Sequence, residues 1–461
     1  MTFWERLGDF IWNPWLLGFF LLVGLYYSVR TGFFQVFECG LWLKTTLGNL
    51  FKPKQHGGGK GLTQFQALAT ALASTIGTGS IAGVATAIFY GGPGAVFWMW
   101  ISAFLGMMTG CAEKTLAVRY RERTPEGGWQ GGPMYYMERG LRSRFLACFF
   151  SLCCVAASLG GGNLVQSNSI ATALEHTFGW DRFPVGLVTA LLTGAVILGG
   201  IGRIGAVSEK LVPCMALLFL GGGLIVLAVH WYAILPALEQ IITCAFIPRA
   251  ALGGGTGYSV ATAMRYGIAR GVFTNEAGMG SSAIAHAAAQ VRDPAEQGMW
   301  GIFEVFISTL LVCSITALVI LTTGVYQPET ALLAQASGQV TSAMVGAPLS
   351  AAAFCTVFGP WGARLVSVCL LLFAFTSLLG WSYYGERALT YLIGSHRWIW
   401  PYRLVFLVSV AAGSVIDLSA VWQMADVFNG LMALPNLTAL LLLAPEALAL
   451  LFRFQRTVSI H

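Results

Sequence analysis

Runs of roughly 18 or more apolar residues recur along nearly all of this 461-residue chain, separated by polar connectors. A segment in lipid must satisfy its backbone hydrogen bonds internally, which leaves the α-helix or the closed β-barrel. A barrel would show alternating segments of about 10 residues, and none is visible. Only 10% of the residues are charged, against 56% hydrophobic, whereas a soluble domain carries about a quarter charged. The expectation is an all-α polytopic membrane protein with lipid around it.

Candidate spans fall near 10–30, 62–89, 94–118, 145–173, 184–200, 209–230, 233–270, 297–323, 361–392, 401–416 and 419–453. The first lacks a preceding basic stretch and a small-residue cleavage pattern, so it reads as a retained span. Lys and Arg gather in connectors 31–61, 119–144, 199–210, 265–296 and 385–403, while 90–93, 231–236, 324–360 and 417–418 hold none. The positive-inside rule then places the N-terminus outside and the C-terminus, beside Arg453 and Arg456, in the cytoplasm. Eleven spans fit; twelve follow if Pro435 separates two crossings. The net charge of +6 is spread over these connectors, not gathered in one patch, so no nucleic-acid partner is expected.

Two spans carry interruptions. TIGTGSIAG (Thr75–Gly83) sits inside the second, and GGGTG (Gly253–Gly257) inside the one over 233–270. Each internal Gly costs a helix up to about 1 kcal/mol relative to Ala. Unwound backbone at membrane depth is tolerated only where protein buries it or it lines a wet cavity. With 1–61 set aside as an extra span and its connector, the broken helices open two five-span groups, 62–230 and 231–434. The groups have opposite topology, and 435–461 forms a C-terminal segment. This is the pattern of an inverted-repeat secondary transporter with its site at the breaks. Gly79 and Gly83, four apart, also suit close helix packing; a row of glycines does not.

A broken helix frees N–H groups at the start of its second half and C=O groups at the end of its first. The first attract anions and the second cations. Amides near Thr78, Gly79 and Ser80 would face a carboxylate, and carbonyls of Ala73 and Ile76 a Na⁺ ion. A zwitterionic amino acid needs both signs. Thr376, Ser377 and Trp381 lie near one helix face; the hydroxyls either line a site or bond their own preceding carbonyls. Asn163, Gln166 and Asn168 indicate a polar cavity or an interhelical network.

Catalytic chemistry finds no support. No pair of the six histidines has metal-ligand spacing, and no nucleotide-binding motif appears. Glu113, Lys114 and Glu304 lie near span ends, His286 in a cytoplasmic segment. Asp426 is the one carboxylate placed for a proton path, with Asn429 as its expected structural partner. The ten cysteines read as small core residues. No enzyme and no cofactor is expected.

Four motifs carry a family resemblance: ALASTIGTGSIAGVATAIFYGGPGAVFWMW (Ala71–Trp100), YGIARGVFTNEAGMGSSAIAHAAA (Tyr266–Ala289), LLGWSYYGER (Leu378–Arg387) and NGLMALPNL (Asn429–Leu437). In them the chain resembles the alanine or glycine:cation symporters of bacteria and archaea. The resemblance implies a fold of the leucine-transporter type, with a five-plus-five inverted repeat after one extra span. It further implies import of a small neutral amino acid, alanine or glycine, with Na⁺ as coupling ion across the plasma (inner) membrane. Carried over residue by residue, it assigns the Thr78 and Gly79 amides, beside Ser80, to the substrate carboxylate, and Gly253, Gly254, Gly255 and Thr256 to the amino group. Gln166 and Trp381 would line the pocket. Ala73 and Ile76 carbonyls with Thr376 and Ser377 hydroxyls would hold Na⁺. The family usually has Asn where this chain has Ser80. The resemblance assigns no role to Asn275 or Glu276 and names no protein partner. H⁺ coupling is the alternative, a passive channel the more distant one.

Overall fold

The computed structural model describes residues 3–50, 61–124, 127–247, 249–250, 257–416 and 419–459. The chain opens with α1 (Phe3–Ile11), α2 (Pro14–Arg30), α3 (Phe34–Phe37) and α4 (Cys39–Leu50). A first broken helix follows, made of α5 (Gln64–Thr75) and α6 (Val84–Gly91) joined through a π-helical turn at Gly79–Gly83. Next come α7 (Gly94–Arg119), a hairpin of β1 (Glu122–Arg123) and β2 (Trp129–Gln130), and α8 (Pro133–Arg139). A second π-turn, Gly160–Leu164, joins α9 (Arg144–Leu159) to α10 (Val165–Phe178); α11 (Arg182–Ile197) and α12 (Gly200–Val229) complete this half.

The other half starts with α13 (Ile234–Phe246), then β3 (Arg249–Ala250) and β4 (Gly257–Tyr258). After these come α14 (Val260–Asn275), α15 (Ser281–Ala287), and α16 (Pro294–Val305), which runs through a π-stretch at Phe306–Cys313 into α17 (Ser314–Thr322). The remaining helices are α18 (Pro328–Ser337), α19 (Ala347–Phe358), α20 (Pro360–Ile393), α21 (Ile399–Gly413), α22 (Ser419–Leu442) and α23 (Ala444–Ser459). Among the described residues six helical segments are long and apolar enough to cross a membrane, and the bent pair Gln64–Thr75 plus Gly79–Gly91 makes a seventh. Pro14–Arg30 and Arg182–Ile197 are shorter apolar helices.

Local signals set several boundaries. Thr63 and Gln66 close a capping box over the start of α5. Ser259 caps α14 by accepting from Thr262 N–H at 3.0 Å, and Asp293 with Pro294 opens α16. The outer faces of α11, α12 and α21 leave Leu187, Leu191, Leu217, Leu224, Leu404 and Val408 exposed; such broad apolar surface suits lipid.

Three expectations need correction. The stretch 233–270 is not one interrupted span. It holds α13 and α14, and between them Arg249 pairs antiparallel with Tyr258 and Ala250 with Gly257. Gly253, Gly254, Gly255 and Thr256 lie outside the described residues, but the backbone flanking them turns back on itself as a hairpin. The interruption in this half falls later, at Glu276–Gly280, between α14 and α15. Pro435 does not divide the last helix; it sits inside α22, which gives way to α23 at Leu443. Segment 324–360 carries α18 and α19 instead of running as a bare connector.

The core sits where backbones come closest. A Cβ on Gly301 of α16 would lie 2.5 Å from the Gly110 carbonyl oxygen of α7, and one on Gly24 of α2 would lie 2.7 Å from Leu105 O. Around Gly83, by contrast, an added Cβ meets nothing within 4 Å. Gly301→Val should lower the melting temperature of detergent-purified protein, at a cost of about 1–3 kcal/mol from overpacking. Gly83→Ala should leave it unchanged or raise it slightly; equal effects at the two positions would contradict the packing described.

Candidate functional site

At the first break, α5 stops at Thr75 because Ile76 leaves the helical region, with φ −85° and ψ 71°. The chain rewinds at Gly79 with its axis turned by 49°. Helix α20 lies directly against this corner. A Cβ on Gly77 would be 2.6 Å from Ser377 Oγ, and one on Gly380 would be 3.0 Å from Ser74 Cβ, so glycine on each helix permits the approach. Ser377 Oγ reaches Ala73 O at 3.1 Å and Phe373 O at 3.0 Å, and Thr376 Oγ1 reaches Phe373 O at 3.0 Å. The hydroxyls bond the preceding turn, and Ser377 also faces a carbonyl of the broken helix. Ile76 is wholly buried at the corner, and Ser74 Oγ lies 2.9 Å from Tyr384 OH.

One turn on from Ser377, α20 carries Trp381. Its Cβ and Cγ would lie 2.4 Å from a Cβ on Gly162, so the indole lies across the second π-turn, edge-on to Tyr384 at 5.6 Å. From the same turn Gln166 Nε2 donates to Gly161 O at 3.1 Å, while its Oε1 is buried and unpartnered. Asn163 and Asn168 point elsewhere: they donate to Phe406 O at 2.7 Å and Gly413 O at 3.1 Å, tying α9–α10 to α21. Thr78 Oγ1 and Ser80 Oγ are likewise buried without a hydrogen-bond partner. Burying such an oxygen unpaired is costly, and each of the three is left able to take a further hydrogen bond. Carbonyls loosened by the first π-turn are captured from the opposite side, Ser80 O by Thr316 Oγ1 at 2.9 Å and Ile81 O by Ser350 Oγ at 3.1 Å.

The second break faces the first. A Cβ on Gly79 would lie 3.0 Å from Thr274 Oγ1 and 3.3 Å from Phe273 Cδ1, in the last turn of α14. On its far side Phe273 borders a cavity of about 220 Å³ that Asp9, Arg265, Arg270 and Asp426 also line, so one ring separates that cavity from Gly79. Asp426 faces Arg270 at 3.8 Å; the expected pairing with Asn429 gives way to an ion pair between α22 and α14.

The break itself is built from left-handed residues: Glu276 at φ 54°, Gly278 at 92° and Gly280 at 82°. Asn275 Oδ1 accepts from Ala277 N–H at 3.0 Å. Glu113 Oε1 accepts from Gly278 N–H at 2.9 Å and from Asn436 Nδ2 at 2.6 Å, and Asn436 Nδ2 also donates to Gly278 O at 2.9 Å. Two side chains thus hold both backbone groups of one residue. Glu276 accepts from Ser281 Oγ, and Tyr136 OH donates to Asn436 Oδ1. Asn275 and Glu276, without an assigned role at the level of sequence, form the corner of this break.

Beside it lies a charge cluster with no solvent exposure. Lys114 Nζ stands 3.3 Å from Glu113 Oε2 and 3.3 Å from Glu304 Oε2, and His286 Nε2 is 3.2 Å from Glu304 Oε2. Gln297 Nε2 and His286 Nδ1 are 2.7 Å apart. His286, Glu113, Lys114 and Glu304 are therefore all buried in the protein interior. Their signal in the sequence is the pair Glu113–Lys114 inside an otherwise apolar 26-residue helix. Removing one member of a buried pair strands its partner, typically at about 3–5 kcal/mol. Glu304→Leu should therefore sharply reduce folded yield and melting temperature, and Glu304→Leu with Lys114→Met should recover part of the loss. A double variant less stable than the single one would show that these charges do not compensate each other.

The sodium:alanine symporter family profile matches residues 1–460. A transporter of Haemophilus influenzae is 44% identical over 440 residues, 95% of this chain and 92% of that one. The sodium/alanine symporter AgcS of Methanococcus maripaludis is 42% identical over 444 residues, 95% of this chain and 94% of that one. The probable sodium/glutamine symporter GlnT of Bacillus subtilis is 35% identical over 440 residues, 95% and 87% of the two chains. Among solved structures, MhsT in complex with L-phenylalanine covers 86% of this chain at 13% identity and a TM-score of 0.55, with 99% of MhsT matched. The manganese transporter of Eremococcus coleocola covers 87% at 19% identity and a TM-score of 0.52, with 80% of that chain matched. At such identities the two structures share the fold alone. With matched sequence over almost its whole length and a helix broken among small residues, the chain is a transporter, not an enzyme, and belongs to the sodium:alanine symporter family.

Proposed function

We propose that this protein imports a small neutral amino acid, alanine or glycine, by symport with Na⁺, through alternating access around the first break. One observation carries the reading: α20 seats Ser377 against the Ala73 carbonyl, while Thr78, Ser80 and Gln166 keep buried oxygens without partners. Na⁺ is coordinated by the carbonyls of Ala73 and Ile76 with the hydroxyls of Thr376 and Ser377, a set of neutral oxygens suited to a hard cation. The substrate carboxylate meets the Thr78 and Gly79 amides beside Ser80, at the start of a half-helix. Its amino group meets carbonyls freed at the end of α14, near Phe273 and Thr274. Gln166 and Trp381 limit the side chain. Ser80, shorter than the usual Asn, tunes the choice of substrate.

In this reading eleven spans cross a bacterial or archaeal plasma membrane, from an outer N-terminus to a cytoplasmic C-terminus. They are α2, α5–α6, α7, α9–α10, α11, α12, α14–α15, α16–α17, α20, α21 and α22. Helices α5–α12 and α14–α22 form the two inverted repeats, so the second repeat starts at Val260 and not at residue 231. Connectors 31–61, 119–144, 199–210 and 385–403 then fall on one side, which supports the assignment, while Arg249 and Arg265 fall on the other.

In proteoliposomes, alanine or glycine uptake should collapse when Na⁺ is replaced by choline at constant pH, and accumulation should exceed the outside concentration. Uptake that persists in choline would point to H⁺ coupling; uptake that only equilibrates would point to a channel. Thr376→Ala with Ser377→Ala should raise the half-saturating Na⁺ concentration at least tenfold in protein that still elutes as a single species. An unchanged Na⁺ titration would remove the proposed ion site.

A further inference from the structure

The two broken helices also meet far from their breaks, at the side of the basic connectors. There the chain just before α5 and the chain just after α15 form a parallel backbone bridge, Leu62 with Ala289. Leu62 N–H donates to Ala288 O at 3.2 Å, and Gln290 N–H donates to Leu62 O at 2.7 Å. Under this bridge Leu62, Ala67, Ala288 and Ala289 make a small buried cluster of their own, apart from the main core. Two backbone hydrogen bonds and four small contacts are a slight closure for a helix end that carries unsatisfied carbonyls.

One side chain reinforces it. Arg121, immediately after α7, donates from Nη2 to Val291 O at 2.7 Å and from Nη1 to Ala289 O, with Ala287 O at 3.4 Å. Its guanidinium also lies 4.2 Å from the centre of the Trp129 ring, on the β1–β2 hairpin. Burial, with Arg123 nearby, pushes the guanidinium down to about 10, so it is still charged at neutral pH. Of its acceptors, Ala287 O closes α15, where the helix dipole favours a cation, and Ala289 O and Val291 O belong to the chain that follows. Gly131 allows the fit: a Cβ there would lie 2.8 Å from Ala287 Cβ and 2.9 Å from Ala117 O.

We propose that Arg121 is the positioning residue that fixes the segment after α15 in place for its bridge to Leu62, and so keeps the pathway shut on the basic side. It touches neither the Na⁺ ligands nor the substrate contacts. Its effect is on the balance between closed and open inner ends, because it fixes the segment 287–291, from which the Ala288 carbonyl and the Gln290 amide pair with Leu62. Arginine is well matched to this role, since its planar fork reaches several carbonyls at once where a lysine reaches one at a time.

The inference rests on the alternating-access reading, but its test needs no substrate. Ala67→Cys places a thiol in the small cluster beneath the bridge. Its rate of reaction with N-ethylmaleimide is followed by peptide mass, and the native buried Cys154 of α9 serves as internal reference. In the R121A background, the thiol introduced at position 67 should label at least tenfold faster than with Arg121 present, while Cys154 stays slow. R121K should fall between, and R123A, which removes the other guanidinium beside Trp129, should match the parent. Unchanged labelling in R121A, equal acceleration by R123A, or parallel acceleration at Cys154 would overturn the proposal. If R121A does not fold, R121K decides alone: faster labelling supports the latch and unchanged labelling overturns it. Failure here leaves Na⁺-driven uptake untouched, and absence of uptake in the parent protein would leave the labelling result standing.

Discussion

Backbone polar groups set free within a bilayer have no water to turn to, and much of this structure is organised by where such groups find partners. At the second break the solution is explicit. Glu113 from α7 and Asn436 from α22 take the amide and the carbonyl of Gly278, the same two groups a helix would have satisfied through its own turns. At the first break the carbonyls of Ala73, Ser80 and Ile81 are met by hydroxyls of Ser377, Thr316 and Ser350, each from a different helix. Breaking a helix therefore requires neighbours, and the neighbours fix how the surrounding helices pack.

That dependence explains what is legible in the sequence and what is not. The first break is legible because Gly77, Gly79 and Gly83 stand among hydroxyl residues inside an apolar run, and weak helix formers act locally. The ion-site candidates Thr376 and Ser377 follow from type and spacing on one helix. The second break is displaced in the sequence reading because GGGTG is the louder signal, although its flanks form a hairpin outside any helix. The true break spends only Gly278 and Gly280 and puts Glu276 into a left-handed conformation, which a non-glycine residue seldom adopts. Nothing local advertises it. Its partners, Glu113 and Asn436, lie 165 and 158 residues from Gly278.

The buried charges escape a sequence reading for a related reason. Glu113 and Lys114 adjoin in sequence near the end of a helix that stops at Arg119, and nothing in that position says what they face. Lys114 is balanced by Glu304 from α16, and Glu304 by His286 from α15. Composition reveals that such charges exist but not that they meet. The glycines of the α7–α16 crossing matter here, since Gly110 and Gly301 let the two backbones close up around the Lys114 side chain. Packing and electrostatics at this point are one problem with one solution.

The π-turns at Gly79–Gly83 and Gly160–Leu164 and the π-stretch at Phe306–Cys313 sit beside the first break, beneath Trp381 and next to Thr316. Each widened coil holds spare length that an ordinary coil would not. Rewinding one into α form would advance everything beyond it by about 1.5 Å and turn it by about 100°, the increment of a single residue. The centre of the molecule thus has slack built into its helices, one residue's worth at each widened turn.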